Sequence, residues 1–356
     1  MRKESEDDVS VSALIRNRGK ESVTLDLKQE AGRRVLHELI AKADVLVENF
    51  SPGVTQRLGI DYESVRALNP RLVYTSISGF GSLGGRLGGG SERKAMDAII
   101  QAMSGIMMTI GEEGDRPGRV GIPVGDLSAP LFGVIGTLSA LMHAERTGTG
   151  QFVDVSMLGS LTSLVAAEAI DAQNAVGLPT RSGAFMPRLA PFGTFDAADG
   201  WYAVCAPTDI LAANVLRSIG REELLQTAEF ATRDARAENA AALHAMINEW
   251  SADRPLAEVL RELSEHGVPA SPVRTPGEAV RDEELLARGD VVALEHPAFG
   301  PREDLIGPGL PIRFSETEAG PAASAPALGE HTDAVLGEML GFPPERIQEL
   351  RDAGVL

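Results

Sequence analysis

The sequence predicts an α/β fold, and three observations carry that prediction. Up to Ser78, short apolar strand-like segments alternate with helical ones across tight joints, the pattern of a parallel sheet. Ala, Gly and Val dominate while aromatic residues make up only 4%, so the core is built from small side chains. No repeat of fixed period runs through the chain, which excludes solenoids and propellers. With 356 residues, 43% of them hydrophobic, the chain suits two domains.

The charged first ten residues are expected to fray. Ser22 to Leu27 alternates like a strand, and Gln29 to Lys42 sets Ala31, Val35, Leu39 and Ile40 at helical spacing. Val45 to Val47 is a short buried strand, followed by the polar loop Asn49 to Gly53. That loop falls at the carboxyl end of its strand, where open α/β sheets place ligands. Tyr62 to Leu68 reads as a helix and Leu72 to Ser78 as a strand. The glycine-rich run Gly79 to Gly90 matches no phosphate-loop or dinucleotide fingerprint. It is either a substrate-covering loop or a plain connector.

Asp97 to Met108 and Leu127 to Arg146 follow as helices, the second apolar almost all round and therefore expected to be buried. Phe152 to Val155 is a strand and Met157 to Asn174 an apolar helix. A Pro/Gly/Arg-rich link at Pro179 to Pro191 changes the texture. Trp201 to Ala206 then opens a strand–helix–helix section running through Glu265. Val268 to Val273 and Val291 to Glu295 are strand-like, Gly300 to Ala327 reads as an extended linker, and Leu328 to Leu356 closes with two helices. The expected divisions are 1–190, a small domain at 195–270, linker and strands at 271–327, and terminal helices at 328–356.

Thirty-three Lys and Arg against 51 Asp and Glu give a net charge of −18, which repels a phosphate backbone and argues against nucleic-acid binding. A local basic cluster can still hold a small anion against that field. No run reaches the ~18 uninterrupted apolar residues of a membrane span, so no membrane partner is expected. The opening residues lack a signal-peptide core, and a single cysteine excludes an intramolecular disulfide. Six scattered His with that one Cys give no metal spacing. A reducing cytoplasm fits these features.

No Gly-x-Ser-x-Gly elbow occurs. Cys205 sits mid-strand among apolar neighbours and reads as a buried filler, and His331 reads as a structural residue at a helix start. Asp154 interrupts an apolar strand just before a helix, where a carboxylate is costly unless paired, capping or functional. Asp97 and Asp126 stand at predicted helix starts, where the helix dipole favours a carboxylate.

Eight strings in order carry a resemblance. They are Asn17 to Lys28 (NRGKESVTLDLK), Ala43 to Gly53 (ADVLVENFSPG), Arg57-Leu-Gly59, Asp97 to Gly105 (DAIIQAMSG), Ile122 to Asp126 (IPVGD), Thr147 to Asp154 (TGTGQFVD), Gly267 to Val273 (GVPASPV) and Ala325 to Thr332 (APALGEHT). From about residue 14 onward the chain resembles the family III CoA-transferases, which include formyl-CoA and carnitinyl-CoA transferases and, more distantly, α-methylacyl-CoA racemase.

The resemblance implies a Rossmann-like large domain built from both chain ends, a smaller α+β domain between them, and two ring-shaped chains interlocked as an obligate homodimer. It implies coenzyme A, as acyl-CoA, together with a carboxylic acid as substrates, and no metal. An aspartate attacks the thioester to give an enzyme anhydride, the CoA thiolate returns to form an enzyme thioester, and the steps reverse on the acceptor acid. The CoA contacts carry over to Leu25, Asp26, Leu27 and Lys28, to Asn49, Phe50 and Ser51, to the basic residues Arg57 and Lys94, and to Ala95, Met96 and Asp97.

Three departures accompany the likeness. The family nucleophile lies five residues beyond the Asp154 position, and Gly159 stands there. The racemase pattern has a histidine where this chain has Met96. The family's opening strand and helix, roughly sixty residues, have no counterpart, which is expected to leave a sheet edge open. Asp154 or Asp97 is then the candidate catalytic carboxylate. The alternatives are a catalytically silent CoA-binding subunit paired with an active homologue, and an acyl-CoA racemase or isomerase using Asp154.

Overall fold

The computed structural model describes residues 10–82, 93–297, 300–321 and 323–356. In chain order the elements are α1 (Val11–Arg16), α2 (Glu30–Ile40), β1 (Val45–Glu48), α3 (Val54–Leu58), α4 (Tyr62–Val65), β2 (Val73–Ser78), α5 (Asp97–Ser104), a 3-10 turn (Ile106–Thr109), α6 (Val124–Thr147), β3 (Phe152–Ser156), α7 (Met157–Ala166) and α8 (Ile170–Ala175). Then come β4 (Phe192–Ala197), β5 (Gly200–Cys205), α9 (Asp209–Ser218), a 3-10 turn (Glu222–Gln226), α10 (Arg233–Glu238), α11 (Ala240–Ser251), α12 (Leu256–Glu265) and β6 (Ala270–Pro272). The last are α13 (Pro276–Ala279), α14 (Glu283–Arg288), β7 (Val291–His296), β8 (Gly300–Pro308), α15 (Thr332–Leu340) and α16 (Pro344–Asp352).

Two compact units emerge. The first takes in Met1–Ser76, Gly133–Asp154 and Arg274–Leu356, the second Ile77–Phe132 and Val155–Val273. In the first, the sheet order is β1-β2-β3, with β1 and β2 parallel from Val45 opposite Val73 to Glu48 opposite Ser76. Alternate residues of β2 serve opposite faces. Leu72 and Tyr74 join Ile40, Ile60 and Val65, with Tyr62, Tyr74 and Phe152 forming a ring cluster at 5.5–6.0 Å. Val73 instead meets Ala140 and Ala144 of α6. That approach is close: a Cβ on Gly136 would lie 2.7 Å from Val153 Cγ1, so only glycine fits.

The chain ends meet in the same unit. His331 Nδ1 accepts from the Ser22 amide, Thr332 Oγ1 from the Thr24 amide, and the Val355 carbonyl from the Asp26 amide. Leu336, Phe342 and Ile347 pack with Val35 and Leu25. The alternating segment Ser22–Leu27 is therefore not a strand: its partners are C-terminal side chains and turns, which cannot extend a ladder. His331 is structural here, with Nδ1 as the acceptor.

The second unit holds the antiparallel sheet β4-β5-β6, with Phe192 opposite Cys205 and Tyr202 opposite Pro272. Phe195, Tyr202 and Val204 bury against Val215 and Leu216 of α9, Leu243 and Ile247 of α11, and Val259 and Leu263 of α12. Arg236 is buried yet satisfied, donating to the Ala190 and Phe230 carbonyls and pairing with Asp209 Oδ1 at 2.5 Å. His244 stacks on Phe185 at 4.1 Å, and burial pushes its imidazole down to about 4.

Several sequence expectations give way. Helix α6 is not buried: Leu131 is 67% and Ile135 63% exposed, with Val134, Leu138 and Met142 also open, because an all-round apolar helix needs more neighbours than one chain gives it. By length and composition α6 could span a membrane, a property that the interruption by polar residues concealed. Cys205 is exposed, since its strand position points away from the core that Val204 and Ala206 enter. The first third of Gly300–Ala327 is strand β8, antiparallel to β7, with its prolines at Pro301 and Pro308 near the ends. The helix expected through Asn174 breaks at Ala169, which has a φ of 50°. Strand β4 adds to the expected strands, and Phe-Gly-Thr-Phe before Ala-Asp-Gly is its hairpin signal. The opening residues and most of the glycine-rich run lie outside the described residues.

Candidate functional site

In the first unit the turn before α2 is held from both sides. Asp26 Oδ1 accepts the Lys28 amide at 3.0 Å and Oδ2 accepts Gln29 Nε2 at 3.2 Å, and these bonds hold the carboxyl below its usual range. Arg33 donates to the Leu27 and Lys28 carbonyls at 3.0 and 2.9 Å. With its carbonyl gripped, Lys28 presents an exposed side chain on a fixed backbone, while Leu25 turns into the core with α15 and α16.

The loop after β1 is built by local bonds. The Phe50 amide donates to Glu48 Oε2 at 2.8 Å, and the Val54 amide to the Ser51 carbonyl at 3.1 Å, which starts α3. Phe50 and Ser51 are exposed. Arg57, also exposed, lays its guanidinium over this loop: a Cβ on Gly53 would be 3.2 Å from Nη1. The structure thus brings Arg57 to the Asn49–Gly53 loop.

In the second unit, Lys94, Ala95 and Met96 run into α5. Lys94 is exposed, Met96 is 71% exposed, and Arg93 lies over the Phe80 ring at 5.0 Å. Asp97 opens the helix with both oxygens engaged. Oδ1 accepts from the amides of Gly125 and Asp126 at 2.9 and 3.4 Å, and Oδ2 from Gln101 Nε2 at 2.7 Å. Gln101, fully buried, also accepts from the Val120 amide at 2.9 Å and donates to the Ile122 carbonyl at 3.2 Å. Sequence reasoning missed Gln101; its i,i+4 spacing from Asp97 on one helix face was the available signal.

Asp154 is half-buried on β3 and engaged by its surroundings. Gly159, the third residue of α7, is exposed, and its amide donates to Ser156 Oγ at 3.0 Å. A Cβ there would stand 3.3 Å from Ser156 Cβ and 3.5 Å from its Oγ, so a side chain fits with a shift of a few tenths of an ångström. Among the described residues, no three His, Cys, Asp or Glu gather as a metal site.

A mixed α/β chain with the exposed cation Arg57 beside a strand-end loop can receive a phosphate-bearing ligand there. The chain belongs to CoA-transferase family III, whose profile matches residues 1–332. It is 35% identical to a formyl-CoA:oxalate CoA-transferase of Streptomyces avermitilis over 357 aligned residues, covering 96% of this chain and 85% of that one. It is 33% identical to the beta subunit of a succinyl-CoA–L-malate CoA-transferase of Chloroflexus aurantiacus, covering 96% and 84%. The solved structure of a CaiB/BaiF family protein from Brucella suis superposes with a TM-score of 0.78 at 34% identity, over 94% of this chain and 88% of that one. The chain is accordingly an enzyme of acyl-CoA metabolism that moves CoA between a thioester and a carboxylic acid.

Proposed function

We propose that the chain transfers CoA from a short acyl-CoA to a small dicarboxylic acid, the class that oxalate and malate in its relatives' names represent. The observation that carries this reading is electrostatic. On a chain of net charge −18, Lys28, Arg57 and Lys94 are exposed cations at the positions that the family likeness gives to CoA. Phosphate is held there by charge-assisted bonds, and the surrounding negative field disfavours larger polyanions. In the first unit, Leu25 to Lys28 and Asn49 to Ser51 are the positions that the likeness assigns to CoA.

Asp154 is the carboxylate of this chain proposed to intercept the thioester carbonyl, conserving its energy as an anhydride. Met96 carries no exchangeable proton, which disfavours racemisation. The test is direct: incubate the purified chain with formyl-, acetyl- or succinyl-CoA and oxalate or malate, and follow new CoA esters by chromatography. Transfer that disappears in Asp154→Asn supports the reading. Transfer that persists unchanged in that variant removes Asp154 from the chemistry.

Gly159 favours a second reading, in which a homologous chain supplies the attacking carboxylate and this one acts as a CoA-binding subunit; two relatives are themselves named as subunits. Gly159→Asp distinguishes the two. A gain on the order of 100-fold in transfer by the chain alone supports the second reading, given how much a missing nucleophile costs. The exposed apolar face of α6 would be covered by the second chain of the dimer, in the interlocked arrangement that joins both chain ends in one Rossmann-like domain. A cytoplasmic setting, where CoA esters are made and used, belongs to the same reading.

A further inference from the structure

We infer that Asp97 is a positioning residue, which with Gln101 fixes the thioester-facing strip Lys94–Met96 and the start of α6, and that it does not attack the thioester. The inference rests on the CoA reading above and deepens it. An attacking carboxylate needs an oxygen lone pair aimed at the carbonyl carbon. The two oxygens of Asp97 already receive three hydrogen bonds, two of them from backbone amides at the start of α6. Those amides are among the helix's otherwise unsatisfied donors, so Asp97 acts as a cap supplied from another helix.

Gln101 carries the tie further. Its amide group bridges Asp97 to both the Val120 amide and the Ile122 carbonyl, so one buried network fastens the 120–126 segment to α5. On the other side of Asp97, the strip is wedged. A Cβ on Gly79 would fall 2.1 Å from the Ala95 methyl, and the Gly79 carbonyl accepts the Leu158 amide at 3.0 Å. Leu158 precedes Gly159, so the contact that locates Ala95 also locates the start of α7. Loosening Asp97 would release Met96, whose carbonyl accepts the amides of Ile99 and Ile100, from a position defined on both sides.

The experiment compares Asp97→Ala with Asp97→Asn in the full chain, reading acetyl-CoA affinity by calorimetry and amide hydrogen exchange at Gly125 and Asp126. The alanine variant is expected to weaken acetyl-CoA binding about ten-fold and to speed exchange at both amides, as loss of a charged cap would. The asparagine variant keeps an oxygen for the two amides but turns a donor toward Gln101 Nε2, so it is expected to restore slow exchange at both amides and to recover binding to within about five-fold. If Asp97→Ala does not fold, Gln101→Leu removes the other half of the network and is expected to weaken binding by about five-fold.

Transfer activity completes the test. Asparagine rescue of turnover together with binding supports positioning. A dead Asp97→Asn that still binds acetyl-CoA and keeps both amides protected overturns the inference, because then the carboxylate itself reacts. Unchanged affinity and exchange in Asp97→Ala overturn it as well. Failure of the natural chain to bind acetyl-CoA is a separate result, which sinks the CoA reading and the inference with it.

Discussion

The core under the antiparallel sheet and the apolar surface of α6 use the same side chains and end in opposite conditions. Phe195, Tyr202, Leu216, Leu243 and Leu263 are sealed by neighbours from their own unit. Leu131, Ile135 and Leu138 lie on a continuous helix and remain largely exposed. The first set surrounds a sheet with helices on a section of contiguous chain, so its partners arrive with it. The second sits on a cylinder that is apolar all round, of which one side alone meets β2 and β3. Hydrophobicity creates a demand for burial, and connectivity decides whether one chain meets it.

That contrast can be broken in graded ways. The largest expected effect is Phe195→Ala, which opens a cavity between β4 and α11 and should cost about 3–5 kcal/mol in denaturant unfolding. A cost below about 1 kcal/mol would show that this core is not sealed by its own unit.

Acid should produce the next largest effect. His244 is buried and held down to about 4, while the unfolded imidazole titrates near 6.5. Below pH 6.5 the unfolded state takes up a proton that the folded one refuses, so stability is full above that pH and falls until about pH 4. The loss amounts to about 3 kcal/mol. Unfolding free energies measured across this window should show the slope, and His244→Phe should remove it; a slope unchanged in that variant assigns the acid sensitivity elsewhere.

On α6 the expectation reverses. Ile135→Asp should change the unfolding free energy of a dilute chain by less than about 0.5 kcal/mol, since the side chain is already in water. It should nonetheless lower the mass seen by light scattering at higher concentration, as binding linkage demands. An unaltered mass would mean that nothing covers this face. The smallest effect belongs to the Asn49 loop, where Arg57→Gln should leave melting unchanged and weaken acetyl-CoA binding about ten-fold, the share of one charge-assisted phosphate contact.

Much of the fold was legible because it depends on local period. Helix α2, strands β1 and β2, and the two closing helices follow from spacing alone. Ser22–Leu27 shows where that fails: alternation reports that a segment is extended, but a strand also needs a ladder partner, and here His331 and Thr332 provide side chains instead. Strand β8 was hidden for the converse reason, since its flanking prolines resemble a linker until β7 supplies the pairing. At the site, the residues proposed to face CoA come from the likeness alone, while the engagement of Asp97 was invisible because Gly125 and Asp126 are distant in sequence and donate through backbone amides.

By itself the sequence determined the α/β class and the family, since each is a property of residue types in order. Tertiary structure alone decided that Asp97 is already bonded three times, that Cys205 faces out, and that α6 keeps an open side. Hydrogen bonding and burial depend on which distant segments arrive at the same place, and a linear pattern carries no measure of that distance.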